Sequence, residues 1–394
     1  MSNPGAIPSI EARRDELIAW RRDLHAHPEL AYEERRTSAF VAAELRRIGL
    51  DVDVGLARTG VVATLSTGEG PSVGLRADMD ALPIREANTF AHRSRFDGVM
   101  HACGHDGHTV MLLAAARELA ERPSFQGTVR FVFQPAEEAA GGAKAMIEDG
   151  LFDRFPMERV FGMHNWPGVP AGRFAMRAGP LMASIDCFDA RIEGRGTHGA
   201  LPNEGTDPVL AAAHVVVALQ SIVSRNVDPR RAAVLSVTRI DAGYAHNVIP
   251  EAADIAGSLR AFDPEVRELV KRRLTEVVTA TAASFGATGK VEFGHQNPAV
   301  INDPAAVALA ASAAASLVGD AAVARDVEPV LASEDFAQML EKRPGCYVFL
   351  GNGDGPGGCA IHDPSYDFND EILTLGASYW VRLAQAALGA EPAG

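Results

Sequence analysis

The chain has 394 residues, 47% of them hydrophobic and 22% charged, with a formal net charge of −14 at pH 7. That length suits two domains better than one stretched core, and the composition is ordinary for a soluble globular enzyme. The acidic balance argues against nucleic acid and anionic membrane surfaces as partners, because phosphate binding needs concentrated Lys and Arg.

No run of about eighteen uncharged apolar residues offers a bilayer span. Met1 to Ile10 lacks a basic start followed by an apolar core, so no secretion signal is expected. The four cysteines, Cys103, Cys187, Cys346 and Cys359, are widely spaced and form no disulfide framework, which predicts a reduced, cytoplasmic protein.

Ser9 is a candidate cap for a helix running through Trp20 to about His25 and ended by His27-Pro28. A second helical pattern covers Glu34 to Ile48 and stops at Gly49. Apolar runs at Val61–Leu65, Val73–Leu75, Thr128–Phe133 and Val160–Met163 then alternate with helices near Thr109–Glu121 and Ala143–Asp149. This alternation predicts an α/β fold, a mostly parallel sheet flanked by helices.

From about Ala183 the order becomes strand Ile185–Glu193, helix Asp207–Ser224, strands Ala233–Ile240 and Asp254–Arg260, helix Pro264–Phe285 and strand Lys290–Phe293. That β-α-β-β-α-β order is the ferredoxin-like plan. The chain then returns to a helix at Ala305–Leu317, a strand at Tyr347–Leu350 and a closing helix from Glu371. The expected organisation is a discontinuous catalytic domain, residues 1–182 and 295–394, interrupted by an inserted α+β domain at 183–294.

In an open α/β sheet, ligands gather beyond the carboxyl ends of the strands. Asp78 and Asp80 follow Val73–Leu75, and Glu137 and Glu138 follow Thr128–Phe133. His164 follows Val160–Met163, and His362 lies in the Gly-rich stretch after Tyr347–Leu350. His101-Ala102-Cys103-Gly104-His105-Asp106 brings a thiol and an imidazole before a helix, in a setting too polar for a core. Cys, His and Glu are the mixed donors that borderline divalent metals favour, and five such side chains exceed what one tetrahedral ion with an open position needs. Two metals sharing a bridging group is the economical arrangement.

Adjacent Glu137 and Glu138 suggest divided labour, since neighbouring side chains of an extended segment point opposite ways. One would bind metal while the other faces substrate. A metal lowers the pKa of bound water towards ~7, and a free carboxylate can pass that proton to a leaving amine. Without the other donors such a pair would be a solvated acidic surface.

These motifs resemble the di-metal amidohydrolase and metallopeptidase family that includes hippurate hydrolases, aminoacylases, auxin-conjugate hydrolases and N-acetyldiaminopimelate deacetylases. The resemblance runs from Leu24-His25-Ala26-His27-Pro28-Glu29-Leu30 through Gly74-Leu75-Arg76-Ala77-Asp78-Met79-Asp80, the Cys103 segment and Phe133-Gln134-Pro135-Ala136-Glu137-Glu138. It continues at Asn247-Val248-Ile249-Pro250, Ser333-Glu334-Asp335-Phe336 and His362. It implies a catalytic domain like the di-zinc aminopeptidases, with Cys103, His105, Glu138, His164 and His362 as metal ligands, Glu137 as proton shuttle and Asp80 as a supporting aspartate. It further implies that His198 stabilises the oxyanion, commonly in a partner subunit's site, and that Asn247 and Arg260 anchor the substrate.

Thr197, Gly199 and Asn203 depart from the family's usual Gly, Ala and His around His198, and Ala139 replaces the Gly usual after the paired glutamates. Asp78, Asp106, His25, His27, His101 and His108 are candidates for the pocket or for structure.

The expected function is metal-dependent hydrolysis of a small-molecule N-acyl amino acid, with two divalent ions (Zn, Mn, Co or Ni) and a homodimer or higher homo-oligomer formed through the inserted domain. Rivals are a dipeptidase, carboxypeptidase or deacetylase of the same fold, a catalytically silent metal- or ligand-binding protein, and a thiol redox protein using Cys103.

Overall fold

The computed structural model describes residues 5–138, 141–353 and 360–389; Ala139, Cys359 and the Gly-rich stretch 354–359 lie outside these. The chain divides into two compact units, one of Met1–Leu181, Ile301–Glu328 and Asp335–Gly394, the other of Met182–Val300 and Pro329–Glu334. The short segment belongs with the second unit because the Ala183 amide hydrogen-bonds to the carbonyls of Val330 and Ala332, at 3.1 and 3.0 Å.

The first unit is built on an eight-stranded sheet in the order Asp51–Leu56, Gly60–Ser66, Thr128–Gln134, Ser72–Asp78, Arg159–Pro167, Gly345–Gly353, Phe174–Ala175, Val323–Ala324. Its centre is parallel, from Thr128–Gln134 through Gly345–Gly353, and antiparallel pairings enter towards both edges. The central strands are buried almost throughout, as a parallel sheet covered on both faces requires. Helices Arg35–Arg47, His105–Glu121, Pro304–Val318 and Leu373–Ala387 flank it. Arg35–Arg47 shows the expected stripe, burying Thr37, Val41, Ala42 and Leu45.

The second unit follows the predicted order, with strands Ile185–Glu193, Ala233–Ala242, Ala252–Ala261 and Thr288–Asn297 and helices Pro208–Asn226 and Pro264–Ser284. Its sheet runs Ala233–Ala242, Ala252–Ala261, Ile185–Glu193, Thr288–Asn297, antiparallel throughout. Asp207 and Asp263 cap the two helices through their carboxylates, each ahead of a proline in the first turn. Pro208–Asn226 is long and apolar enough on composition alone to cross a membrane, contrary to the expectation of no such segment. Its Ala211, Ala212, Val215, Leu219 and Ile222 instead line this unit's own core.

Several boundaries move. Ser9 lies inside a short helix, Pro8–Glu11, with Ile7 at its cap, and its hydroxyl donates to Glu118 at 2.7 Å. The next helix is separate, Arg14–Ala26. A single turn, Asp370–Ile372, precedes the closing helix. Strand Asp51–Leu56 has no counterpart in the sequence reading: it is a half-exposed edge whose Asp51, Asp53 and Gly55 break the apolar signal.

Buried charge ties the first helices to the start of His105–Glu121. Arg21, fully buried, bonds to Asp370 at 2.7 Å and Asp367 at 2.9 Å, and lies 3.6 Å from Asp106. His25 Nδ1 donates to Asp106 at 2.9 Å, and its Nε2 faces Glu86 at 3.2 Å. Burial would lower the His25 pKa, but the two carboxylates overcome it and push the value up to about 9. A folded-state value above the ordinary 6.5 means this stabilisation is complete below that pH and lost as pH rises through about 9. The melting temperature should therefore fall between pH 6.5 and 9, and His25→Gln should flatten that slope; identical slopes in calorimetry would remove His25 from the account.

Candidate metal centre

The carboxyl ends of the central strands collect the predicted donors. Thr128–Gln134 leads into Glu137 and Glu138, and Ser72–Asp78 leads to Asp80. Arg159–Pro167 continues past Met163, so His164 lies within the strand and not after it. His105 is the first residue of its helix, which begins one turn earlier than Thr109. Gly104 makes that start possible: its φ is +96°, and a Cβ there would meet Asn165 Oδ1 at 2.1 Å.

These residues assemble into overlapping groups. One donor atom each from Cys103, His105 and His164 lie within 4.8 Å of one another, and the same holds for Cys103, Glu138 and His362. A third group joins His105 to Glu137 and Glu138. Cys103 Sγ is 3.3 Å from His164 Nε2, and His362 Nε2 is 3.0 Å from Glu138 Oε1. Cys103, His105 and His164 are buried, while the His362 side chain stays 47% exposed, which leaves an approach from solvent.

The hydrogen bonds prepare the donors. His105 Nδ1 donates to the Asp80 carbonyl at 2.9 Å and lies 3.2 Å from Asp80 Oδ1. Its Nε2 is buried with no hydrogen-bond partner among the described residues. His164 Nδ1 likewise donates to the Asn165 carbonyl, at 2.5 Å, which turns Nε2 towards Cys103. Asp80 Oδ2 accepts the Glu138 amide at 2.9 Å, so one aspartate holds two of the donors. Outer carbonyl and carboxylate partners of this kind set the tautomer and orientation of ligating histidines.

The electrostatics suit a cation. Burial pushes the Cys103 thiol well above its ordinary pKa, and the Glu138, Glu137 and Asp78 carboxylates add to the rise. Burial would lower His105, yet Asp78, Asp80 and Glu138 push it up to about 10. Burial and the neighbouring His108 keep His164 well below its usual value, hence neutral and able to donate a lone pair. A buried thiol, a bare imidazole nitrogen and surplus carboxylate charge fit a soft-to-borderline divalent cation, which ionises a coordinating thiol outright.

Strand alternation does not separate the paired glutamates: one carboxylate oxygen of each lies within 4.8 Å of the other and of a His105 ring nitrogen. They lie beyond the strand, after Ala136, whose φ of +56° is left-handed. That conformation costs a non-glycine residue about 1–2 kcal/mol. Glu137 is 9% exposed, its Oε1 accepting the Asp335 amide at 3.3 Å.

Asp78 supports the cluster from beneath, bonding to Arg76 at 2.8 Å and His108 Nδ1 at 2.6 Å, 3.8 Å from His105 Nε2. Asp106 and His25 belong to the Arg21 network, and His27 makes its contacts near the surface, with Asp23. His101 is buried with neither ring nitrogen hydrogen-bonded among the described residues. Glu34, Asn165 and Tyr366 were not anticipated. No motif spacing betrays them, because each acts through contacts between segments remote in sequence.

His198, Asn247 and Arg260 belong to the second unit. His198 pairs with Val248 across the short strands Thr197–His198 and Val248–Ile249, and the Gly199 amide bonds to the Asn247 carbonyl at 2.8 Å. The Ala200 amide donates to His198 Nδ1 at 3.1 Å, leaving Nε2 to carry the proton on an exposed ring. Arg260 Nη1 donates to the Leu331 carbonyl at 2.6 Å.

A strand-end cluster of thiol, imidazole and carboxylate donors on this sheet defines a metal-dependent hydrolase. Residues 74–386 match the model of Peptidase family M20/M25/M40. The hippurate hydrolase of Campylobacter jejuni is 42% identical over 379 residues, 96% of this chain and 98% of that protein. The N-acetyl-L-cysteine deacetylase of Bacillus subtilis is 42% identical over 382 residues, 96% of this chain and 89% of that protein. A solved Bacillus subtilis structure, a dinuclear metal binding peptidase from the M20 family, superposes with a TM-score of 0.84 at 36% identity, covering 97% of this chain and all of that one. The chain belongs to peptidase family M20/M25/M40 and is an amidohydrolase.

Asp80→Ala removes the carboxylate that touches both His105 and Glu138. It should weaken metal affinity about 10- to 100-fold in a chelator competition titration while the melting temperature of the metal-free protein changes little; unaltered affinity would leave the Asp80 contacts without a role in metal binding.

Proposed function

We propose that this amidohydrolase cleaves N-acyl amino acids to a carboxylate and a free amino acid, using two divalent cations. The observation that carries the reading is the meeting of two donor groups at Cys103, with Glu137 beside them. Cys103, His105 and His164 would hold one cation and Cys103, Glu138 and His362 the other. When bound, the ions supply Lewis acidity, polarising the scissile carbonyl and acidifying water.

The chain's own groups do the rest. Glu137, buried beside these donors, takes the proton of the attacking water and delivers it to the departing nitrogen. His198 donates from Nε2 to the developing oxyanion, the tautomer that the Ala200 amide favours; such a donor is worth about 3 kcal/mol of barrier. Asn247 holds the carbonyl region, and Arg260 grips the carboxylate of the amino acid through parallel hydrogen bonds. Hippurate and N-acetyl-L-cysteine, the compounds in the relatives' names, are both N-acyl amino acids, which supports this substrate class. Zn, Mn, Co and Ni all suit the donor set.

A homodimer through the second unit is part of the same reading. Helix Pro208–Asn226 leaves Val209, Leu210 and Val217 exposed, and strand Ala233–Ala242 forms a sheet edge carrying exposed Ile240. An apolar face beside an unpaired edge favours pairing with a second copy. Cys103, Cys187 and Cys346 are free thiols, which supports a reducing, cytoplasmic setting.

Release of free amino acid from acetyl-, benzoyl- and indolyl-acyl substrates, with each metal added back to chelator-treated protein, tests the reading. Glu137→Ala should lower kcat at least 10³-fold, within the range that base catalysis contributes together with orientation, with bound metal retained; loss of metal along with activity would make Glu137 a ligand. Mixing inactive Glu137→Ala and His198→Ala subunits should restore part of the activity if His198 serves its partner's site, and verified heterodimers that stay inactive would confine it to its own chain.

A further inference from the structure

Two buried carboxylates grip the segment that carries Glu137. Glu34 is fully buried, and its Oε1 accepts the amide of Ala136 at 2.9 Å and that of Tyr32 at 3.0 Å. Both donors are left-handed non-glycine residues, with φ of +56° and +64°. One oxygen thus receives the amides of two backbone positions that L-residues avoid. Thr59 Oγ1 donates to Glu34 Oε2 at 2.6 Å and orients the carboxylate.

Asp335, also fully buried, holds the segment from its other flank. Its Oδ1 accepts Gln134 Nε2 at 2.7 Å and Arg76 Nη2 at 3.2 Å, and its Oδ2 accepts the Ala143 amide at 2.9 Å. Gln134 and Ala143 stand before and after the glutamates, so a single carboxylate fixes both ends. The Asp335 amide then reaches Glu137 Oε1 itself, at 3.3 Å. The close turn admits no side chain at Gly142, where a Cβ would meet the Pro135 carbonyl at 1.7 Å.

We propose that Glu34 and Asp335 are positioning residues for the amide-cleaving reaction, a pair of carboxylate clamps that fix the left-handed backbone at Ala136 and so aim Glu137. This rests on Glu137 acting as the proton shuttle. Strained backbone beside a reacting group persists only where its surroundings over-determine it, and small misplacement of a reacting group lowers turnover strongly. The clamp acts on orientation, so its loss falls on kcat and spares KM and metal binding.

The test uses metal-loaded protein carrying Glu34→Ala, Glu34→Gln, Thr59→Val or Glu137→Gln, with kcat, KM and bound metal measured for each. Glu34→Ala should lower kcat ten- to a hundredfold with KM within twofold and metal unchanged. Glu34→Gln keeps an acceptor oxygen for both amides and can donate to Thr59, so it should recover most of that loss. Thr59→Val, an isosteric change that spares the fold should Glu34→Ala not survive, should lower kcat severalfold. Inactive Glu137→Gln together with wild-type kcat in Glu34→Ala or Thr59→Val overturns the clamp alone. Active Glu137→Gln overturns the shuttle and the clamp with it. A Glu34→Gln no better than Glu34→Ala also overturns the clamp, because the lost hydrogen bonds would then not be the cause.

Discussion

A buried ring nitrogen with no hydrogen-bond partner governs this molecule. His105 Nε2 is buried and without a hydrogen bond among the described residues, because Nδ1 is committed to the Asp80 carbonyl. Leaving such a nitrogen desolvated costs a few kcal/mol, and the buried thiol of Cys103 adds a second unfavourable burial. Both costs disappear together when a divalent cation occupies the space, so the donors make physical sense only as a set. The glycine at 104, the helix beginning at His105 and the strand that carries His164 inward all serve to bring these atoms together.

The sheet supplies the convergence and the hydrogen bonds supply the aim. Parallel central strands end on one edge, which delivers Asp80, the glutamates and His164 to one region from distant parts of the chain. Asp80 then couples two of them, touching His105 with one carboxylate oxygen and the Glu138 amide with the other. Beneath, Arg76 and His108 hold Asp78, and Asn165 joins His108 to Tyr366. The site is therefore braced from below, and His362 is its most exposed donor among the described residues.

What the sequence disclosed followed from periodicity and from unusual residue types. The apolar runs located the central strands, and the donors stood out because thiols and imidazoles cluster beside glycine in no ordinary core. The inserted unit was readable because each of its helices opens with Asp-Pro and its strands Ile185–Glu193 and Ala252–Ala261 alternate. Strand Asp51–Leu56 escaped although Val52, Val54 and Leu56 alternate with Asp51, Asp53 and Gly55, because it holds no continuous apolar run like those that marked the central strands. Glu34 escaped for a different reason: its partners lie at Thr59 and Ala136, and hydrogen bonds spanning such separations leave no local pattern. The helix Pro208–Asn226 shows the reverse hazard, since composition alone does not distinguish an apolar core helix from a membrane span.

The proposed division of work between Glu137 and Glu138 rests on a geometry different from strand alternation. Alternation along an extended strand would send the two side chains apart, yet the strand has ended at Gln134. The left-handed turn at Ala136 sits immediately ahead of them, and their contacts differ: Glu138 meets His362 while Glu137 receives the Asp335 amide. Alternation would have needed only a flat ladder, tolerant of many residues. A left-handed alanine needs partners for its amide and space at Gly142, so the arrangement depends on groups far from the chemistry. Precision at Glu137 is therefore a property of the packing around Glu34 and Asp335 as much as of the motif itself.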